Sequence, residues 1–153
     1  MKSEFKNVFK VAKDHDYDRY LCTLYAGSKY RATIMTLLAF NYELGKIRET
    51  ISEQMIGDIK LAWWREAIEG LYEGQVRSHY ILKSMKKVIE KSNLPKKILL
   101  EMVEAREVDF IETPMDNISD LKSYALKTGG NLAKISAIAG DAKEKEQQSA
   151  YLT

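Results

Sequence analysis

The feature that most constrains this sequence is a run without charged residues, Ala32–Tyr42. Apolar residues recur in and after it at spacings of three and four, the periodicity of one helical face: Leu37, Phe40, Leu44 and Ile47. The run has 11 residues, too few to cross a bilayer, which takes about 20. The pattern predicts a helix that begins after Ser28, continues to about Thr50 and is buried on most sides.

The rest of the chain is also helical in pattern, and no segment shows the sustained alternation typical of a strand. Its two prolines stand between periodic segments. The other predicted helices are Tyr17–Tyr25, one capped by Ser52 and ending before Gly74, His79–Lys91, one from Pro95 to Thr113-Pro114, and one capped by Ser119. The sequence therefore predicts an all-α protein, with residues 1–153 as a single domain.

Apolar spacing also predicts the inner faces of two of these helices. The stripe in the helix after Ser52 is Ile56, Ile59, Trp63 and Ala67, extended by Trp64, Ile68 and Leu71. The stripe in the last helix is Leu121, Tyr124, Thr128, Leu132 and Ile135. Gly129-Gly130 interrupts the last helix, where each glycine costs about 1 kcal/mol relative to alanine. Such a pair indicates close packing of a neighbouring helix or approach of a ligand, and we favour close packing.

Composition excludes several classes of function. The formal net charge is +2, and no basic stripe is present of the kind that nucleic-acid binding requires. The single cysteine, Cys22, can form no internal disulfide and indicates a reducing compartment. No segment is long and apolar enough for a transmembrane span. We expect a bacterial cytoplasmic protein, with contact at the membrane surface as the alternative.

Two carboxylates, Glu49 and Glu53, stand four residues apart. On one continuous helix they would share a face and could hold Mg²⁺ together with waters and a diphosphate. The helix boundary predicted at Ser52 separates them, however. Spacing alone therefore favours a solvated helix end over a metal site.

Two further polar groups interrupt apolar patterns. In Trp63-Trp64-Arg65, the tryptophans point about 100° apart on a helix, so one can lie in the core while the other lines a pocket or interface. Core packing is the better single explanation. Arg106 and Asp109 interrupt an apolar stripe three residues apart. Because an inward charge is costly unless it is paired, we expect them to pair or to line a cavity.

The order of these segments resembles the squalene/phytoene synthase family from about His15 to Gly140. The segments that carry the resemblance are Asp18-Arg19-Tyr20-Leu21-Cys22, Leu38-Ala39-Phe40-Asn41, Arg48-Glu49, Ser52-Glu53, Trp63-Trp64-Arg65-Glu66, Ala105-Arg106-Glu107 with Asp109, and Tyr124 with Thr128-Gly129-Gly130. Within the family, the chain looks most like the branch that contains the mitochondrial complex I assembly factor and its alphaproteobacterial relatives.

The resemblance implies the N-terminal part of an isoprenoid-synthase-type helical bundle, truncated to about six or seven helices around a central cavity. Enzymes of the family join two prenyl diphosphates head to head, with Mg²⁺ held by two aspartate-rich motifs. Registered on Ala39-Phe40, the first motif, Asp-x-x-x-Asp, falls on Gly45–Glu49. Gly45 replaces the first aspartate, Lys46 stands in the middle, and Glu49 keeps a carboxylate. The second motif lies beyond the segment matched by Tyr124–Gly140, so it is expected to be absent from these 153 residues.

The leading hypothesis is a non-catalytic relative, a pseudoenzyme without a cofactor that acts as an assembly or interaction factor for a respiratory complex. Its partner would be a protein of that complex, or a second copy bound through exposed apolar faces of the helices near Ala32 and Ser52. The alternative is a Mg²⁺-dependent prenyltransferase that binds a prenyl diphosphate. We assign no catalytic residue. The candidate degenerate metal or diphosphate site is Glu49, Glu53 and Asp109, and the candidate cavity or interface is Trp63, Trp64, Arg65, Arg106 and Tyr124.

Overall fold

The structure is a computed structural model that describes residues 5–111, 115 and 117–141. Helices make up nearly all of these residues. They are α1 (Lys6–His15), α2 (Tyr17–Tyr25), α3 (Ser28–Thr50), α4 (Gln54–Tyr72), α5 (Tyr80–Ser92), α6 (Lys96–Glu104), a 3₁₀-helix (Ala105–Phe110), α7 (Ile118–Ala125), a π-helical turn (Leu126–Gly130) and α8 (Asn131–Ala139). These residues include no strand, which confirms the all-α prediction. If the 3₁₀-helix is counted with α6, and the π turn and α8 with α7, the described residues form seven helices, within the predicted six or seven.

The central element is α3, with the bounds that the sequence predicts. Its residues 35–40 are all buried, because α1, α2, α4, α5 and α8 all contact it. The uncharged stretch of α3 can be covered in this way without burying an unpaired charge. The helix α3 therefore positions the other elements, and the polar residues near its C-terminal end lie at the edge of the core.

The first helix, α1, was not predicted. Only Val8 and Ala12 in it are fully buried. The lysines around these two residues leave too few apolar positions for a helical pattern to be recognised in the sequence. Its N-cap residue, Phe5, makes no side-chain capping bond. The helix therefore depends on packing against α3 rather than on a local start signal.

The helix α4 corrects two predictions. It begins at Gln54 with Glu53 at the N-cap, so Ser52 does not cap it. Its buried face consists of Gly57, Leu61, Trp64, Ala67, Ile68 and Leu71. It therefore includes Ala67 and the predicted extension of the stripe, but not Ile56, Ile59 or Trp63. Ile56 and Ile59 are exposed. At about 100° per residue, Ile59 lies on the side of the helix away from the core, whereas Ile56 lies at the edge of the buried face, in the first turn. The predicted face was therefore correct for its extension and for Ala67, and wrong for the two isoleucines.

The 3₁₀-helix packs against the buried face of α4 at Gly57. A Cβ atom on Gly57 would lie 2.3 Å from Cζ of Phe110, closer than real Cβ atoms approach a neighbour. Phe110 itself is buried. Glycine is therefore required here by the close approach of the aromatic ring.

Helix ends follow the sequence signals with shifts of one or two residues. Gly74 follows α4 with φ +86°, as its predicted place after the helix requires. Pro95 is the N-cap of α6 rather than a residue of its first turn. Asn117, not Ser119, caps α7 by accepting a hydrogen bond from the Asp120 amide at 3.0 Å. The predicted stop at Thr113-Pro114 lies outside the described residues.

The π turn corrects the prediction for the last helix. Thr128, Leu132 and Ile135 are buried, but Leu121 is exposed. A π turn adds a residue to its turn, so a stripe drawn at 3.6-residue spacing does not keep its face across it. A Cβ atom on Gly129 would meet nothing within 4 Å, so the close helix packing predicted at this glycine is wrong.

None of the described helices combines the length and apolar character that a membrane span requires.

Candidate functional site

The most connected polar group near the core centres on Arg106 in the 3₁₀-helix. Its Nη1 atom donates to the Tyr124 hydroxyl at 3.0 Å and lies 3.5 Å from Oδ2 of Asp109. Its Nη2 atom lies 3.4 Å from Oδ1 of Asn41 on α3. Tyr124 in turn donates to Oδ1 of Asp109 at 2.5 Å. The side chains thus join α3, the 3₁₀-helix and α7.

This Arg106 network is largely shielded from water. The side chains of Arg106 and Asp109 are only 14% and 17% exposed. Burial, followed by the hydrogen bond to Asp109, raises the pKa of Tyr124, so its hydroxyl remains a donor. The Nε atom of Arg106 is buried without a hydrogen-bond partner. The pair expected from Arg106 and Asp109 is therefore present, and it is held by further side chains.

The guanidinium of Arg106 also lies against Gly45. A Cβ atom on Gly45 would be 3.7 Å from Nη2 and 3.9 Å from Cζ of Arg106. Any side chain at position 45 would therefore begin in contact with this cation. A carboxylate there would pair with Arg106 before it could bind a metal ion.

The three candidate metal-binding carboxylates are not brought into one site. Glu49 is exposed in the last turn of α3, and Glu53 is exposed at the N-cap of α4 beyond the break at Ile51. Asp109 is held by Arg106 and Tyr124. No three His, Cys, Asp or Glu side chains of the described residues are placed to hold a metal ion. Since Mg²⁺ needs carboxylate oxygens in octahedral geometry, the residues that match the family motif do not fit it.

The other candidate residues lie in two separate places. Trp64 is buried and meets Phe40 edge-on, with ring centroids 5.6 Å apart. Trp63, which is only partly buried, lines a cavity of about 300 Å³ between α3, α4 and the start of α5, with Trp64 also in its wall. Arg65 pairs with Glu107 at 2.7 Å on the surface. The candidate cavity residues thus divide between the Arg106 network, the tryptophan cavity and a surface ion pair.

Two residues of these sites were missed in the sequence. Asn41 is the side-chain acceptor from α3 in the Arg106 network, and its amide within the uncharged run was a usable signal. His79 is the N-cap of α5, where its Nδ1 atom accepts a hydrogen bond from the Ile81 amide at 3.3 Å. Its ring lies 5.2 Å from that of Trp64. A histidine at a predicted helix start was the available signal for this role.

We predict that His79 makes a pH-dependent contribution to stability. Burial lowers its pKa, the nearby Lys60 lowers it further, and Glu43 opposes the shift. Because the folded-state pKa lies below the unfolded value of about 6.5, protonation favours unfolding. This contribution is complete above that value and is lost as the pH falls through the folded pKa.

We expect thermal unfolding midpoints between pH 7 and pH 5 to fall more in the wild type than in His79→Asn. Asparagine keeps a capping oxygen but does not titrate. Both proteins contain the same carboxylates, so the difference between their pH profiles reports the titration of His79. Parallel pH profiles would contradict the prediction.

Comparison with known proteins matches these features to one family. The squalene/phytoene synthase family model matches residues 12–151. Complex I assembly factor 6 of Homo sapiens is 28% identical over 123 residues, which is 80% of this chain and 37% of that protein. The homolog from Drosophila melanogaster is 26% identical over 133 residues, which is 83% of this chain and 40% of that protein. The chain thus spans about two fifths of the length of these relatives. No solved structure gives a significant match. Since the family model covers nearly the whole chain, this protein belongs to the squalene/phytoene synthase family.

Proposed function

We propose that the chain is a non-catalytic member of its family that binds proteins during assembly of a respiratory NADH dehydrogenase. The observation that carries the proposal is the Arg106 guanidinium against Gly45, where the first carboxylate of the metal motif would stand. The names of the matched relatives, which are complex I assembly factors, support the assembly role. We propose that the chain performs this role in the bacterial cytoplasm, next to the membrane complex.

The chemistry of this position argues against prenyl transfer. Diphosphate departure requires Mg²⁺ to neutralise the developing charge. Gly45 offers no ligand, and Arg106 would repel a divalent cation placed at the same point. Lys46 adds a second cation within the motif. The remaining carboxylate, Glu49, is exposed at the helix end.

An apolar surface on α4 supports a role in protein binding. Met55, Ile56 and Ile59 are 69%, 45% and 65% exposed. Met55 and Ile59 lie on the side of the helix opposite to Leu61 and Trp64, and Ile56 lies beside them at the edge of the buried face. Scattered apolar residues are normal on surfaces, but grouped ones mark interaction sites. We propose this surface, the α4 outer face, as the contact for a subunit of the respiratory complex, and a second copy of the chain is the competing occupant.

Enzyme activity provides the first test. The purified chain is incubated with farnesyl or geranylgeranyl diphosphate and Mg²⁺, and the products are separated by chromatography. We expect no head-to-head product. Turnover that depends on Mg²⁺ would overturn the proposal.

The binding role is tested in the organism that encodes the chain. A tagged copy is expected to co-purify with NADH dehydrogenase subunits, and Ile59→Lys is expected to lose most of that material. The matched control is Ile118→Lys on α7, since Ile118 is 70% exposed and lies on another helix. Equal recovery with both variants would remove the α4 outer face from the proposal. If the tagged chain co-purifies only with another copy of itself, the partner of the α4 outer face is a second copy of the chain and not a respiratory subunit.

Restoring the missing aspartate is expected not to restore metal binding. In Gly45→Asp the new carboxylate should pair with the Arg106 guanidinium, because that cation lies within 4 Å of the new Cβ. We therefore expect the unfolding temperature of Gly45→Asp to be the same with and without added MgCl₂. Gly45→Asn serves as the uncharged control. A rise in melting temperature with Mg²⁺ in Gly45→Asp alone would contradict the prediction.

A further inference from the structure

A second polar site lies on the side of α3 away from the Arg106 network. It is the tryptophan cavity, to which α3 contributes Lys46, Ile47 and Thr50. At about 100° per residue, these residues point away from Asn41 and Gly45, which face Arg106. The cavity is therefore separate from the position of the family's metal motif.

The histidine in this cavity has a defined tautomer. Since Nδ1 of His79 accepts from the Ile81 amide, the proton of the neutral ring is on Nε2. The lowered pKa of His79 supports the neutral form. Among the described residues, Nε2 has no hydrogen-bond acceptor. The cavity therefore contains a fixed N–H donor without a protein partner.

Two lysines of the cavity wall add further donors. Lys46 comes from α3 and Lys60 from α4. In the part of the chain that the structure describes, neither ammonium lies within ion-pair distance of a carboxylate. The Lys46 ammonium instead lies over the Tyr42 ring, 5.6 Å from its centroid. Lys60 is close enough to His79 to lower its pKa.

The one carboxylate of the cavity wall and its one hydroxyl proton both have protein partners. Glu43 accepts a hydrogen bond from the Tyr80 hydroxyl at 2.9 Å. The Thr50 hydroxyl donates to the carbonyl of Lys46 at 3.0 Å. With one carboxylate and two ammonium groups, the charged side chains of the wall sum to one positive charge. Three donors without acceptors and a positive balance favour an anion.

The rest of the wall is apolar and aromatic. The Trp63 ring is partly exposed and stands edge-on to Trp64, with centroids 5.2 Å apart. Ile47 and Ile51 complete this side. A ligand would therefore place an apolar body against Trp63 while its anionic group meets the donors. The volume of about 300 Å³ lies at the small end of ligand pockets.

We propose that the tryptophan cavity binds a phosphate monoester carried on a small aromatic body. The three donors belong to three different segments, α3, α4 and the residue before α5, and a phosphate monoester presents three terminal oxygens to them. A carboxylate presents only two. This site is independent of the proposed assembly role, and neither requires the other.

Tryptophan fluorescence tests the proposal directly. The chain has two tryptophans, and both line this cavity, so the emission reports on this site alone. The probe is phenyl phosphate, compared with inorganic phosphate and with neutral benzyl alcohol. We expect a saturable change with phenyl phosphate, weaker binding of inorganic phosphate, and no saturable change with benzyl alcohol.

A pair of charge-matched variants completes the test. Lys60→Gln removes one donor from an exposed position, and Lys122→Gln removes the same charge from an exposed position on α7, outside the cavity. We expect Lys60→Gln to bind phenyl phosphate about tenfold more weakly and Lys122→Gln to bind it like the wild type. No saturable signal, equal affinities in both variants, or equal binding of benzyl alcohol would overturn the proposal.

Discussion

Replacing Gly57 with alanine is expected to lower the free energy of unfolding by about 2–3 kcal/mol, because the new methyl group would overlap a buried ring. Its Cβ atom would lie 2.3, 2.4 and 2.7 Å from three carbons of Phe110. The ring must therefore leave its position between α4 and the 3₁₀-helix. For a protein of this size the loss corresponds to a fall in melting temperature of roughly 5–10 °C, measured by circular dichroism.

A matched control lies in the same helix. A Cβ atom on Gly70 would meet Gln75 at an ordinary 3.5 Å, so Gly70→Ala should be neutral or stabilising by up to about 1 kcal/mol. Combining Gly57→Ala with Phe110→Leu should cost less than the sum of the two single changes, since the smaller side chain relieves the overlap. If Gly57→Ala melts like Gly70→Ala, the packing of Phe110 against α4 is wrong.

The second large effect is expected from Arg106→Met. The change removes the cation from a side chain that is 14% exposed and leaves Asp109, 17% exposed, with Tyr124 alone. Breaking a buried ion pair from one side costs about 3 kcal/mol or more. The loss should appear as a lower midpoint in urea unfolding, without a large change in the denaturant slope.

Two further variants separate burial from charge. In Arg106→Met/Asp109→Leu both charges are gone, so most of the loss should be recovered. Arg65→Met removes the surface pair with Glu107, whose side chains are 35% and 53% exposed, and should cost less than about 1 kcal/mol. Equal effects of Arg106→Met and Arg65→Met would show that the network adds nothing to stability beyond a surface pair.

The sequence predicted those elements whose signals are local. The helices α2 and α3 have the predicted bounds because Ala26 and Gly27 separate them and because α3 contains one long uncharged stretch. The glycine at position 45, where the family resemblance places the first aspartate, could also be identified from the sequence. These features depend on residues that are close along the chain.

Features that depend on distant residues were not predicted. Ile56 and Ile59 have helical spacing, but tertiary packing buries the neighbouring face of α4, through Leu61 and Trp64. The π turn changes the register of the last helix, which spacing rules do not anticipate. The bond from Arg106 to Asn41 joins residues 65 positions apart. No local pattern could show that this arginine would lie beside Gly45.

The position of Arg106 limits how this protein can change by mutation. Under the proposed function, a metal-binding motif would require an aspartate at position 45, yet that residue would first meet the guanidinium of Arg106. Removing Arg106 first would destabilise the fold, because Asp109 would lose its countercharge. Each order of steps passes through an intermediate without metal chemistry, so neither step alone offers a gain that selection could retain. Under the proposed non-catalytic role, the arginine thus makes the gain of a metal site depend on two coupled substitutions rather than on one.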